Sequence, residues 1–378
     1  MKITDVKTTL MFKPFKQMIS NAVRNIPGRD VILIEVLTDE GITGIGFVTG
    51  MGAGFQSEAP VIQYCIEKTV KPMVLGKDPL AREQLWSFVF KNSTRFGRKG
   101  AVVRALSGVD IALWDLAGKV ANMPCYQLMG YEKKEIPVYA SGGYYAGAGE
   151  NDLVGLVEEV QSYVEAGYKA MKIKVGRMSV KEDIRRIERI RETIGFDFDL
   201  MVDANEGWNI NKAVQFCDGV RDLDLRWIEE PLEPDDLESH LELAHRTNIP
   251  IASGETEYTK YGFLGLIRNG VRVLNADVTR VGGITEWMKV AGLAQCWNLP
   301  MVPHGIQEIH VTCTACAHNA PFTEYFLPTH PLQQFLSELF AQMTEGLEVR
   351  NGCIRPLDVP GLGLLYDPDV VKKYTVVR

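Results

Sequence analysis

Leu200-Met201-Val202-Asp203-Ala204-Asn205, Trp227-Ile228-Glu229-Glu230-Pro231 and Ile251-Ala252-Ser253-Gly254-Glu255 share one pattern, an apolar run closed by an acid. A buried parallel strand reads this way when its last residue faces a site. The acids recur at a fixed interval of 26 residues, since 229 − 203 and 255 − 229 agree. A strand, a loop and a helix together take about that length in a βα-repeat protein. Asp203, Glu229 and Glu255 therefore fall side by side on one rim of a barrel. Converging carboxylates repel one another unless a cation neutralises them. All-oxygen ligation suits Mg²⁺ first and Mn²⁺ next. Strand alternation alone allows either Glu229 or Glu230 to be the inward acid.

The same period extends on both sides. Strands are expected at 138–141, 170–175, 200–204, 226–230, 250–254, 273–278, 301–304 and 322–326, separated by amphipathic stretches at 152–166, 180–194, 211–221, 237–246 and 284–296. Eight evenly spaced strands with crossover helices predict an α/β fold of the TIM-barrel type, with its site at the strand C-termini. Residues before about 128 read differently. Strands at 2–12 and 31–38, a turn at Asp39-Glu40-Gly41, a strand at 42–47 and helices at 57–70, 80–91 and 104–121 make an α+β unit. The expected organisation is an α+β cap at 1–128, a barrel at 129–340 and a tail at 341–378 that returns to the cap. Stretches 18–24 and 49–56 read as loops over the barrel mouth.

With a net charge of −7, the chain of 378 residues has no basic field for nucleic acid or anionic lipid. No apolar run is long enough to span a bilayer, and the opening residues lack a signal-peptide core, so a cytoplasmic protein is expected. Seven scattered cysteines argue against a disulfide framework. Cys313 and Cys316 form a single CxxC inside a predicted helix, which reads as packing rather than as a zinc or redox site.

Other residues on the rim give the carboxylates a partner chemistry. Lys172-Ile173-Lys174 puts two lysines on one strand face. Mutual repulsion and a nearby cation are expected to lower a lysine pKa, leaving one neutral as a base. Asp277 and His304 end neighbouring strands, so the carboxylate can hold the imidazole tautomer. Glu324 ends the last strand and, if protonated, donates a hydrogen bond to a substrate carboxylate. A carboxylic acid held at the metal then has a lysine on one face of its α-carbon and a histidine on the other. Proton removal followed by return of a proton gives racemisation; removal followed by departure of a β-hydroxyl gives dehydration. Asn205, Glu257, Asn275, Arg280 and Gln307 lie near strand ends as candidate contacts to substrate hydroxyls. His240, His245, His310 and His318 read as structural or surface, and Trp208 and Trp227 as packing.

These motifs resemble the enolase superfamily, mandelate racemase subgroup, over nearly the whole chain. The resemblance also rests on Thr38-Asp39-Glu40-Gly41-Ile42-Thr43-Gly44 and on Ser107-Gly108-Val109-Asp110-Ile111-Ala112-Leu113-Trp114-Asp115-Leu116-Ala117-Gly118-Lys119. It implies a modified (β/α)7β barrel, one Mg²⁺ on Asp203, Glu229 and Glu255, Lys174 as the lysine base with Lys172 beside it, and a homo-oligomer. It favours Glu229 over Glu230. It also places Glu324 near the substrate carboxylate. Phe47 follows Gly46 where relatives of this kind usually carry a glutamate, which bears on specificity or packing. The expected activity is dehydration of an aldonic or aldaric acid to a 2-keto-3-deoxy acid, with Asn205, Glu257 and Gln307 toward the substrate. The alternatives are a racemase or epimerase of an α-hydroxy acid, a cycloisomerase of a sugar lactone, or a sugar-acid binding protein without catalysis.

Overall fold

A computed structural model describes residues 1–52, 54–146 and 152–377, without the side chain of Phe55. The expected mouth loop 49–56 thus lies partly outside the described residues, at Ala53 and the Phe55 side chain, as does Arg378 of the tail. Three antiparallel strands open the chain: β1 (Ile3–Ser20), β2 (Asn25–Thr38) and β3 (Thr43–Gly50). The helix Ala101–Ala121 covers this sheet, and its buried face supplies Ala105, Val109 and Ala112 to the cap's own core.

Stretch 18–24 is not simply a loop. β1 runs to Ser20, Ile19 pairs with Ile26, and only the tip between Ser20 and Asn25 turns. The tip rests on the barrel because two glycines leave room. A Cβ on Gly207 would stand 2.8 Å from the Ala22 Cβ, and one on Gly176, at φ +95°, 3.0 Å from it. Arg177 fixes the contact by donating to the Asn21 carbonyl at 2.9 Å.

The second sheet is parallel and curled. Its strands are β4 (Ile136–Gly142), β6 (Ala170–Lys174), β7 (Asp199–Asp203), β8 (Leu225–Glu229), β9 (Ile251–Ser253), β10 (Val273–Leu274) and β11 (Thr323–Tyr325). The spatial order is β10-β9-β8-β7-β6-β4-β11. The short β5 (Tyr145–Ala146) leaves the barrel and pairs with β1, while β12 (Cys353–Ile354) pairs antiparallel with β4. The chain is thus a modified (β/α)7β barrel with an N-terminal cap.

Two expected strands are much reduced. Stretch 273–278 is a strand only at Val273–Leu274, and 301–304 survives as a bridge between Met301 and Leu274. Val302 still donates to the Leu274 carbonyl at 2.8 Å, but Pro303 has no N–H with which to continue the ladder.

Alternation sorts the strand residues by face. Met171, Ile173, Leu200, Val202 and Ile228 face the helices, whereas Tyr139, Ala170, Met201, Trp227 and Ala252 form an inner layer. The crossover helices start where the sequence provides caps. Ser179 and Glu182 form a capping box ahead of Val180–Ile194, and Asp152, Asn209 and Asp236 each accept a hydrogen bond from the first turn of their helices. Among the described residues, no helix is long and apolar enough to cross a membrane. The seven cysteines are free thiols.

Candidate active site

Register brings the acids together. Lys174 pairs with Asp203 and Asp203 with Glu229 across β6, β7 and β8. Each acid is then aimed by an unusual backbone. Asn205 and Glu206 follow Asp203 at φ +40° and +64°, Glu230 follows Glu229 at +40°, and Gly254 precedes Glu255 at +133°. Such left-handed conformations strain non-glycine residues and persist where the surroundings impose them. In return, Asn205 donates through its N–H to Asp203 Oδ1 at 2.9 Å and through Nδ2 to Oδ2 at 3.2 Å.

Asp203, Glu229 and Glu255 are buried, and one oxygen from each lies within 4.8 Å of the others. Burial, with added repulsion from Asp203, Glu324 and Glu255, pushes Glu229 up to about 7 despite Lys172 beside it. An all-oxygen, buried and like-charged trio of this size fits a hard divalent cation. Glu230 is not part of it. Its carboxyl accepts from the Thr256 hydroxyl at 3.3 Å, and burial next to Glu255 and Glu206 holds its pKa well above the ordinary range.

The two lysines face the trio from β6. Lys172 bonds Glu229 and reaches Glu324 Oε1 at 3.0 Å, while Lys174 bonds Asp203. Burial favours the neutral amines, but Glu229 and Glu324 around Lys172, and Asp203 beside Lys174, outweigh it and raise both pKa values; the lowering expected of a lysine base depends on a cation taking up those carboxylates. Burial favours the neutral form of Glu324, yet Lys172, His304 and Lys174 bring its pKa down to about 2. Glu324 accepts the Gly305 N–H at 2.6 Å.

The structure places His304 at the other flank of the trio. Its Nδ1 lies 3.2 Å from Asp277 Oδ2 and its Nε2 3.1 Å from Glu255 Oε2. Burial works against the imidazolium, but Glu255 and the Asp277 hydrogen bond raise its pKa. A buried His310 fixes the two loops that carry this pair: Nε2 accepts from the Val278 N–H at 3.0 Å and Nδ1 donates to the Gly305 carbonyl at 2.6 Å.

Lys174, Asn205, Glu255 and His304 line one small, partly open cavity under the cap hairpin. Glu257 and Gln307 do not. Glu257 is drawn to Lys99 at 3.0 Å and to the Tyr258 N–H at 2.7 Å, outside this cavity. Both ends of the Gln307 amide are taken by the Phe326 backbone, at 3.1 and 2.8 Å. Asn275 is likewise engaged by the Val302 carbonyl at 2.9 Å. Arg280 does line the cavity, as do Asn21 and Arg24 of the mouth stretch 18–24, joined by Tyr144, Glu206 and Thr256, which sequence reasoning left aside. Trp227 does more than pack, since its indole N–H donates to Glu229 Oε2 at 3.0 Å. Its position two residues before Glu229 on the same strand face was the available signal. Phe47 is fully buried with its ring 5.2 Å from that of Phe340, so the departure at this position serves packing.

Comparisons with known proteins agree with this geometry. Residues 2–130 match the mandelate racemase / muconate lactonizing enzyme N-terminal domain, and residues 155–370 match the enolase C-terminal domain-like family. The chain is 35% identical to an arabinonate dehydratase of Saccharolobus solfataricus over 91% of this chain and 90% of that protein. It is 33% identical to a 3,6-anhydro-alpha-L-galactonate cycloisomerase of Streptomyces coelicolor, over 89% of each. Among solved structures, a racemase from Streptomyces coelicolor A3(2) with bound magnesium superposes with a TM-score of 0.90 at 29% identity, covering 99% of this chain and all of that one.

Proposed function

The chain belongs to the mandelate racemase / muconate lactonizing enzyme family of the enolase superfamily, and on that premise we propose that it is a Mg²⁺-dependent dehydratase of acid sugars. One observation carries the reading. Lys174 and His304 contact opposite flanks of the carboxylate trio, through Asp203 and Glu255 respectively, and line the same cavity.

Asp203, Glu229 and Glu255 would hold the metal ion. Bound there, Mg²⁺ supplies the positive charge that makes a proton α to a carboxylate removable. Lys174 and His304 exchange protons on the two faces of the α-carbon, and the configuration of that carbon decides which one removes the proton. Asp277 accepts from His304 Nδ1 and so leaves Nε2 for the substrate. The electron pair released at the α-carbon forms the α,β double bond. The β-hydroxyl leaves with a proton from the opposite group as water, and the resulting enol tautomerises to a 2-keto-3-deoxy acid. Lys172 stands beside Glu324 as a fixed positive charge near the substrate carboxylate. Asn21, Asn205, Thr256 and Arg280 give the cavity wall the polar lining that a polyol requires.

Cycloisomerisation of a sugar-acid lactone is the second reading, favoured by the cycloisomerase similarity and sharing the same first proton transfer. A screen of aldonic acids, aldaric acids and their lactones with Mg²⁺ separates them. Keto acid from one stereochemical series supports dehydration, lactone opening without keto acid supports cycloisomerisation, and silence on the whole panel removes both.

A further inference from the structure

Tyr144 stands where the barrel's first strand crosses into the cap. β4 ends at Gly142, and β5 pairs Tyr145 with Ser20 of β1. Gly143, at φ +67°, makes the crossover possible, because a Cβ there would lie 2.8 Å from the Ile173 Cβ. The bend sends successive tyrosines to different sides. Tyr145 is buried, with its hydroxyl 3.2 Å from Asp183 Oδ1 on the helix Val180–Ile194. The Tyr144 ring instead covers Lys174, with Nζ 4.8 Å from its centroid, and is backed by His330 at 5.2 Å and Phe326 at 6.5 Å.

Three clefts meet at this ring. Tyr144 lines the small reaction cavity, a wider neighbouring cleft whose other walls include Lys16, Ile19, His330 and Gln334, and a third against Asp152 and Arg186. The second cleft contains none of Asp203, Glu229, Glu255, Lys172, Lys174 or His304, and Tyr144 is the residue common to its lining and that of the reaction cavity. Among the described residues its hydroxyl makes no hydrogen bond, and burial raises the phenol to about 12, so it remains a neutral group.

We propose that the Tyr144 ring sets the length of the acid accepted by the site, by closing the reaction cavity on its lysine side and separating it from the cleft beyond. The role is one of specificity, and it rests on the reading of the cavity as a carboxylic acid site. Removing the ring joins the two volumes and gives a longer chain somewhere to go. A hydrophobic wall of this kind discriminates by about 10- to 200-fold per methylene-sized group.

The test uses Tyr144→Ala, Tyr144→Leu and Tyr144→Phe in the full-length chain, each checked by thermal melt. Aldonic acids of graded chain length are measured for kcat/KM, for α-proton exchange in D₂O and for Mg²⁺-dependent binding by calorimetry. Tyr144→Ala is expected to shift the preference toward longer acids by about tenfold or more, with Tyr144→Leu shifting it less, while Tyr144→Phe keeps the wild-type order. An unchanged preference in a folded Tyr144→Ala or Tyr144→Leu protein overturns the proposal, as does an equal shift in Tyr144→Phe, which would assign selectivity to the hydroxyl. A relaxed binding preference without exchange or keto acid in any variant would leave the wall standing and remove the dehydratase reading. Binding of none of the acids by the wild type would overturn both.

Discussion

Trp227 and Glu255 show how far single residues carry the account. The indole N–H lies 3.0 Å from Glu229 Oε2 and holds that carboxylate in the inward orientation. Groups that orient a metal ligand typically contribute 10- to 100-fold in affinity. Trp227→Phe is therefore expected to weaken Mg²⁺ binding by about tenfold while leaving the fold intact, as read by calorimetric titration. An unchanged affinity would reduce Trp227 to barrel packing. Glu255 has a more direct task as one of three converging acids. Glu255→Gln keeps the shape, lowers the charge and is expected to abolish Mg²⁺-dependent turnover. Ordinary turnover at ordinary Mg²⁺ would take Glu255 out of the ligand set.

Among the elements, the helix Ala101–Ala121 offers the sharpest test, because it carries a buried acid toward the barrel. Asp110 accepts the Thr285 N–H at 2.9 Å, and burial pushes its pKa up to about 7. A carboxyl raised on folding contributes stability that is complete below its unfolded value, near 3.9, and is lost as pH rises through the folded value. The melting temperature is thus expected to fall between about pH 4 and about pH 7 and to level off above, at no more than about 1.4 kcal/mol per pH unit from this group. Asp110→Asn should flatten that slope, and an identical slope in the variant would show that Asp110 is not its source.

The same scale explains what the sequence made legible. The strands around Asp203, Glu229 and Glu255 could be read because each is an unbroken apolar run stopped by an acid. Stretch 301–304 has the apolar run too, but its ladder fails at Pro303, and 18–20 becomes strand with β5, far along the chain, pairing beside the local hairpin with β2. Pairing across such distances leaves no local signature. Glu257 and Gln307 lie off the cavity lining for a related reason. Lys99 and Phe326, distant in sequence, decide where those side chains end.

At the scale of the whole molecule, Asp115 links three parts of the chain. Its carboxylate accepts the Ile45 N–H of the cap sheet and the Leu362 N–H of the tail, both at 2.8 Å, and pairs with Lys119 at 2.6 Å. Deleting one member of a buried charged network leaves its partners unsatisfied at a cost of about 3–5 kcal/mol. Asp115→Ala is expected to lose that much in denaturant unfolding, and a loss below about 1 kcal/mol would mean that Asp115 is not what ties cap and tail together. That architecture serves one central claim, that the barrel presents Lys174 and His304 to opposite faces of a single α-carbon. The most direct test is His304→Asn with Mg²⁺ in D₂O, following the α-proton of an aldonic or aldaric substrate by NMR together with 2-keto acid formation. The account predicts that keto acid disappears while α-proton exchange on the lysine side persists. Unimpaired keto acid formation by His304→Asn would contradict it.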